Sequence, residues 1–361
     1  MLELSLESKT DYKSFLPKGK CSDGDVYHMG ERKNLKILVL GWYNRLNIGD
    51  ERIRYSISKL LNPHPITFHN LWEFPIPFDL FAAQDLIIIG GGGLWVGESA
   101  GLISIVEQWH PKIRAHIGVL GVSAETIEPF RTSTEYLLEK ANFFEVRDHK
   151  SKVILGGSEK IAVYPDLTFH TPFRWDPCTQ PNGIALCFAA TYLNDSPNAN
   201  FLRELRKDFN VFGIPFDELD DADYRCFQTI DIPTQSYFDG ERLRRAELAV
   251  CSRFHGIIFC IQMGVPFIAL NSSGKIRNFC EENGLGDFLV PFGCLSEVQE
   301  KIVQMRNQRE NILDRIEKVR EKLVMNSAEH RQHFLSEIDK IIPHAYGMSK
   351  KIKMKLFRSF F

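Results

Sequence analysis

Leu248-Ala249-Val250-Cys251-Ser252-Arg253-Phe254-His255-Gly256, continuing as Ile257-Ile258-Phe259-Cys260-Ile261-Gln262-Met263-Gly264-Val265-Pro266, is the stretch that decides the fold. Leu248 to Val250 read as the end of a buried strand, and Ile257 to Met263 as a buried helix closed by Gly264 and Pro266. A strand, a polar turn and a helix N-terminus form an anion site in α/β proteins, because free backbone N–H groups and the helix dipole both point at the turn. Arg253 and His255 are two residues apart, so on extended backbone their side chains leave one face. That couples a fixed cation to a titratable proton donor.

The same rhythm recurs on both sides. Leu35 to Gly41 reads as a buried strand followed by a Gly/Asn loop and a helix from about Glu51 to Leu61. Asp85 to Ile89 runs into Gly90-Gly91-Gly92-Gly93 and a helical pattern over Ser99 to His110. His116 to Leu120, Asn142 to Val146 and Ile161 to Tyr164 read as three more strands. Three prolines and no periodicity between His170 and Asn182 mark a linker. Beyond it, Gly183 to Phe188, Val211 to Ile214, Ala249 to Cys251 and Phe267 to Leu270 read as strands interleaved with helices, and Leu295 to Lys340 as a long, interrupted amphipathic helix. Alternating β and α elements predict mostly parallel sheets covered on both faces. The expected fold class is α/β: two Rossmann-like, doubly wound domains, residues 35–172 and 173–345, facing across a cleft. Residues 1–34 form an N-terminal arm and 346–361 a basic amphipathic tail. Ligands should bind at the carboxyl ends of the strands.

Composition narrows the function classes. A chain of 361 residues exceeds one ordinary core. A net charge of -2 gives no electrostatic case for nucleic acid. No apolar run approaches the roughly 20 residues that span a bilayer, and residues 1–34 lack the apolar core of a secretory signal, so a cytoplasmic protein is expected. Eight cysteines without a C-x-x-C pair fit reduced thiols. The tail from Ser349 to Phe361 mixes cations with large apolar residues and predicts weak peripheral contact with the inner face of an anionic membrane.

Four loops at predicted strand ends carry polar residues that packing alone does not require. In the first, Asn47 and Gly49 permit tight backbone and Asp50 either caps the next helix or faces the cleft. In the second, Gly90 to Gly93 lets backbone N–H groups approach an anion, which makes Gly91 and Gly92 candidate ligand contacts; neither G-x-G-x-x-G nor the P-loop pattern is matched. The third begins at Arg147-Asp148 and the fourth runs from Ser252 to Gly256. Two arginines from different domains suit bidentate capture of a small, highly charged anion. His330 and His333, spaced i,i+3 on a charged helix with no carboxylate arranged beside them, read as structural, and no metal site is expected. The acidic run Asp217 to Asp223 lacks the glycine and glutamate of an EF-hand loop and reads as a solvated surface loop.

Taken in order, Asn47-Ile48-Gly49-Asp50-Glu51, Gly90 to Gly93, Arg147-Asp148, Pro165-Asp166, Ser252-Arg253-Phe254-His255-Gly256, Gly264-Val265-Pro266 and Lys275 resemble the polysaccharide pyruvyl transferase family. The resemblance implies a glycosyltransferase-B-like pair of domains and transfer of a pyruvyl group from phosphoenolpyruvate to a hydroxyl pair of a sugar. The acceptor would be a polysaccharide or its lipid-linked precursor, the products a pyruvate ketal and phosphate, and no cofactor would be needed. It further implies His255 as general acid and Arg147, Arg253, Phe254, Gly91 and Gly92 around the donor. Asn47, Asp50, Asp166, Ser252 and Lys275 would support the site or hold the acceptor. The chain departs from the family pattern at Asn271-Ser272-Ser273-Gly274, where an aromatic residue is expected before the lysine. Two other readings stand beside this one. A nucleotide-sugar-dependent glycosyltransferase would be protected thermally by a nucleotide sugar and not by phosphoenolpyruvate. A non-catalytic binding or scaffold member would keep the fold while losing Arg147, Arg253 and His255.

Overall fold

The computed structural model describes residues 34–341, apart from 72, 74–76, 97–99, 194–195, 219–221 and 293. Nearly all of the N-terminal arm and the whole basic tail lie outside the described residues. Six strands lie before the proline-rich linker: β1 Ile37–Gly41, β2 Ile66–Asn70, β3 Leu86–Trp95, β4 His116–Ala124, β5 Phe144–Val146 and β6 Ile161–Val163. Five follow it: β7 Ile184–Cys187, β8 Val211–Gly213, β9 Leu248–Cys251, β10 Phe267–Asn271 and β11 Leu289–Pro291. The helices are α1 Ile48–Leu60, α2 Phe78–Ala82, α3 Ala100–Trp109, α4 Arg131–Lys140, α5 His149–Ile154, α6 Ala190–Leu193 and α7 Ser196–Asp208. They continue as α8 Ala222–Thr229, α9 Gly240–Arg244, α10 Phe254–Met263, α11 Gly274–Glu282, α12 Leu295–Asn307 and α13 Arg309–Asp339.

The first sheet runs β2-β1-β3-β4-β5-β6 and the second β11-β10-β9-β7-β8, with parallel pairing throughout. Strands such as Ile37-Leu38-Val39-Leu40 and Leu248-Ala249-Val250-Cys251 are wholly buried because helices cover both sheet faces. In each sheet the chain reverses its direction of winding, between β1 and β3 in one and between β7 and β9 in the other. At such a point the loops leaving two neighbouring strands diverge and open a crevice at their carboxyl ends.

Backbone contacts lock the two halves where those crevices meet. Ile48 N–H donates to Phe216 O at 2.9 Å, Glu218 N–H to Leu46 O at 3.1 Å, and Asn47 and Asp217 form a β-bridge. The last long helix ties them again: Ile312, Ile316 and Leu323 of α13 pack into the second core, while Phe334 and Ile338 pack with Ile37, Val39 and Phe143 of the first. The expected interruption of the C-terminal helix falls at Gln308, between α12 and α13.

Three sequence expectations are corrected. Gly90 to Gly93 is not a loop: these residues continue β3, paired with Leu120, Val122 and Ser123 of β4, with Gly91 and Gly92 at φ 78° and 83° inside the strand. The last residue of the acidic run is not solvated: Asp223, in the first turn of α8, is fully buried and accepts hydrogen bonds from the N–H groups of Ala190, Phe216 and Asp217. A carboxylate does stand beside the α13 histidines. Buried Glu145 of β5 lies 2.7 Å from His330 Nε2, and His330 Nδ1 lies 2.8 Å from His170 Nε2, so the chain's two halves meet through a buried polar network.

Candidate active site

A cavity of about 640 Å³ lies between the two switch points. From the first half it takes the loop after β1 with the start of α1, the end of β3 and the residue after β5. From the second half come the turn after β9 and the segment between β10 and α11. Of the residues singled out in the sequence, Asn47, Asp50, Arg147, Ser252, Arg253, Phe254, His255 and Lys275 line it. Asp166 stands immediately behind this wall, 3% exposed, against Arg147 and His255. Gly91 and Gly92 do not line the cavity; their places are taken by Gly93 and Leu94, because β3 runs on past the glycines.

Local structure sets each side chain. Asn47 caps α1, its Oδ1 accepting from Gly49 N at 3.1 Å and Asp50 N at 3.4 Å. Asp50 is therefore not the cap, and its carboxylate is released toward the cavity from the first turn. Arg253 is the N-cap residue of α10, and His255 already lies in the helix. The two do not share a strand face as expected: the strand ends at Cys251, and helical turn geometry separates their directions. Arg253 Nη2 is held by Asp223 at 2.6 and 2.7 Å, and its Nε donates to Phe188 O at 3.3 Å. His255 instead packs on Gly49, where a Cβ would come within 1.9 Å of Nδ1, so only glycine admits the imidazole.

Arg147 is nearly dry. Its Nη1 reaches Asp166 at 3.2 Å, its Nη2 donates to Ser123 Oγ at 2.8 Å, and its guanidinium carbon sits 4.2 Å from the Phe254 ring centre. Phe254 thus crosses from the second half to cover the cation of the first. His255 Nε2 lies 3.8 Å from Asp166 Oδ2, an ion-pair rather than a hydrogen-bond separation. Burial pushes the Asp166 carboxyl upward. His255, the Arg147 guanidinium and the Thr168 N–H outweigh it and hold the group well below the usual carboxylate range.

Asp50 behaves in the opposite way: burial raises it to about 6 even though His255, Lys275 and Arg147 pull it down. Lys275 is lowered by burial and by the charges of Arg147 and Arg253. The buried polar atoms Arg147 Nε, His255 Nε2, Ser252 Oγ and Ser273 Oγ have no hydrogen-bond partner in the protein, although such groups are normally satisfied. All four belong to residues that line the cavity. This wall offers guanidinium, ammonium, hydroxyl and imidazole groups to a ligand, with Asp50 and Glu125 as the acidic members. It is suited to a small, multiply charged anion together with a polar second substrate.

Sequence reasoning missed Asp223, which holds Arg253, and Ser123, which holds Arg147. Neither sits in a recognisable motif, and their roles depend on which strands are neighbours.

The fold is a two-domain, Rossmann-like α/β architecture of the glycosyltransferase-B type. It is similar to the S. aureus MnaA–UDP co-structure, with a TM-score of 0.52 and 11% identity over 87% of this chain and all of that one. It is also similar to the glycotransferase of kitacinnamycin, with a TM-score of 0.50 and 11% identity over 84% of this chain and 99% of that one. At that identity the likeness speaks for the fold alone, and no curated protein matches the sequence. The family is settled by a different comparison. Residues 22–274 match the polysaccharide pyruvyl transferase model, well over half of the chain, and the chain belongs to that family.

Proposed function

We propose that this protein transfers the enolpyruvyl carbon skeleton of phosphoenolpyruvate to two hydroxyls of one sugar, forming a pyruvate ketal and releasing phosphate. The observation that carries the reading is the convergence of Arg147, Arg253 and Lys275 from both halves of the fold on one cavity that also holds His255. Phosphoenolpyruvate pairs a carboxylate with a phosphate that is nearly dianionic at neutral pH. Two planar guanidinium forks and an ammonium match that charge without reorganising, and they leave the scheme with no need of a metal or organic cofactor.

His255 donates a proton to the methylene carbon, and the adjoining carbon becomes electrophilic. A sugar hydroxyl adds there. The phosphate C–O bond then breaks and a second hydroxyl takes its place. Asp166 acts behind the scene as a positioning residue, since it touches both Arg147 and His255. The acceptor is a polysaccharide unit, free or lipid-linked. The test is incubation with phosphoenolpyruvate and a panel of free and lipid-linked glycans, following phosphate release and the mass of the glycan. Glycan gaining one pyruvate ketal is the expected result. Transfer of a sugar from a nucleotide sugar, with phosphoenolpyruvate inert, overturns the reading in favour of a glycosyltransferase.

A further inference from the structure

We infer that Asp50 is the general base that takes the proton of the attacking sugar hydroxyl, paired across the cavity wall with His255 as the acid. This rests on the reaction proposed above. Three geometric observations carry it. Asp50 lines the cavity from the first turn of α1, and the helix cap is supplied by Asn47, so its carboxylate has no capping duty. Its predecessor Gly49 packs directly on the His255 ring, which puts the base and the acid on adjoining seats. Gly92, in a strand at φ 83°, lies where a Cβ would come within 2.9 Å of Asp50 Oδ1. The strand keeps a glycine there and the carboxylate keeps its place.

The charged groups facing Asp50 come from every surrounding element: His255 of α10, Lys275 of α11, Arg147 after β5 and Asp166 after β6, with the Tyr43 hydroxyl after β1. The carboxyl is raised to about 6, so near neutral pH it is ionised yet basic enough to accept a proton in a transition state. The arrangement resembles other sites in which two titratable groups are pushed apart by their surroundings and thereby assigned opposite tasks.

The protons balance. As the first sugar oxygen bonds to the central carbon of phosphoenolpyruvate, its proton passes to Asp50, while His255 gives one to the methylene carbon. When the C–O bond to phosphate breaks and the second hydroxyl adds, that hydroxyl's proton leaves with the phosphate. Asp50 is then protonated and His255 neutral, and transfer of one proton from the former to the latter restores both.

The test uses the full chain and its Asp50→Asn variant, with methyl hexopyranosides and lipid-linked oligosaccharides as acceptors. Phosphate release is followed between pH 5 and 9, and phosphoenolpyruvate binding by calorimetry. The expected result is a loss of kcat of roughly 100- to 10,000-fold, with the acidic limb of the kcat profile near pH 6 gone. Phosphoenolpyruvate should bind as tightly as before or more tightly, because a negative charge has left the donor's surroundings. Gly92→Ala, which pushes the carboxylate aside without removing it, should show the same split between turnover and binding. A variant that keeps kcat within tenfold, retains the acidic limb, or loses donor binding in step with turnover overturns the assignment of Asp50 while the pyruvyl transfer stands. A wild-type protein that neither binds phosphoenolpyruvate nor releases phosphate with any acceptor overturns the reaction itself.

Discussion

Asp50→Asn should make the protein more stable while disabling it. Burial raises the carboxyl from 3.8 to about 6, a shift of about two pK units, and each unit corresponds to about 1.4 kcal/mol. Holding the ionised group in the cavity wall at pH 8 therefore costs at most about 3 kcal/mol. Asparagine removes that cost and forgoes the favourable position of an anion in the first turn of α1, which is worth about 0.3–1 kcal/mol. The net gain should be about 2 kcal/mol, a rise in Tm of roughly 4–8 °C at 2–4 °C per kcal/mol. A group whose folded pKa is raised contributes full stability below its unfolded value and loses it as pH climbs through the folded value. The difference between variant and wild type should accordingly be near zero below pH 4, grow between pH 4 and 6, and stay level above. Paired urea or thermal denaturation curves at pH 4, 6 and 8 measure it. A variant that is less stable at pH 8, or a difference that ignores pH, refutes the argument that this site stores electrostatic strain for function.

His255→Gln should lose turnover on the scale of general acid catalysis, roughly 100- to 10,000-fold, and calorimetry should find most of the donor affinity intact. Asp223→Asn leaves the Arg253 cation inside the protein without its anion; removal of one partner of such a pair costs about 3–5 kcal/mol, so a lower Tm and a weaker Kd for phosphoenolpyruvate should appear together. Burial and the neighbouring His330 and Arg331 lower His170 to about 3, so the unfolded chain binds its proton first as pH falls. Stability should decline from about pH 6.5 downward by as much as about 1.4 kcal/mol per pH unit, and equilibrium unfolding of His170→Gln should show that slope flattened.

The elements with strong periodicity were legible from the chain alone. Ile37 to Gly41 and Leu248 to Cys251 bury every residue of a strand, and the helix after His255 is buried all round, which is how parallel strands and a covered helix are written in sequence. The edge strands β2 and β11 were not legible. Ile66-Thr67-Phe68-His69-Asn70 is mostly half-exposed, and Leu289-Val290-Pro291 is three residues long and contains a proline, so neither carries a signal that separates it from a loop. The glycine run misled for a related reason: its residues carry no side chains to report the strand they continue, and the pairing is imposed by β4 alongside.

Parallel topology explains why so much of the site could nevertheless be assembled from scattered motifs. When strands run parallel in register, the residues that follow them emerge side by side at the carboxyl end of the sheet, however far apart they are in the chain. Val146 pairs with Val163, so the residues just beyond each strand, Arg147 and Asp166, arrive within 3.2 Å of one another. Cys251 pairs with Cys187, so the backbone beyond β7 is in place to receive Arg253 at Phe188 O. Any polar residue read at the end of a strand was thus already a candidate neighbour of every other. What the sequence withholds is strand order, and with it every contact that order creates. Asp223 reaches Arg253 only because the start of α8 lies against the turn after β9, and Glu145 meets His330 only because α13 returns to the first sheet. Those two carboxylates are fully buried and satisfy cations or imidazoles from distant segments, so their roles follow from topology and leave no trace in local pattern.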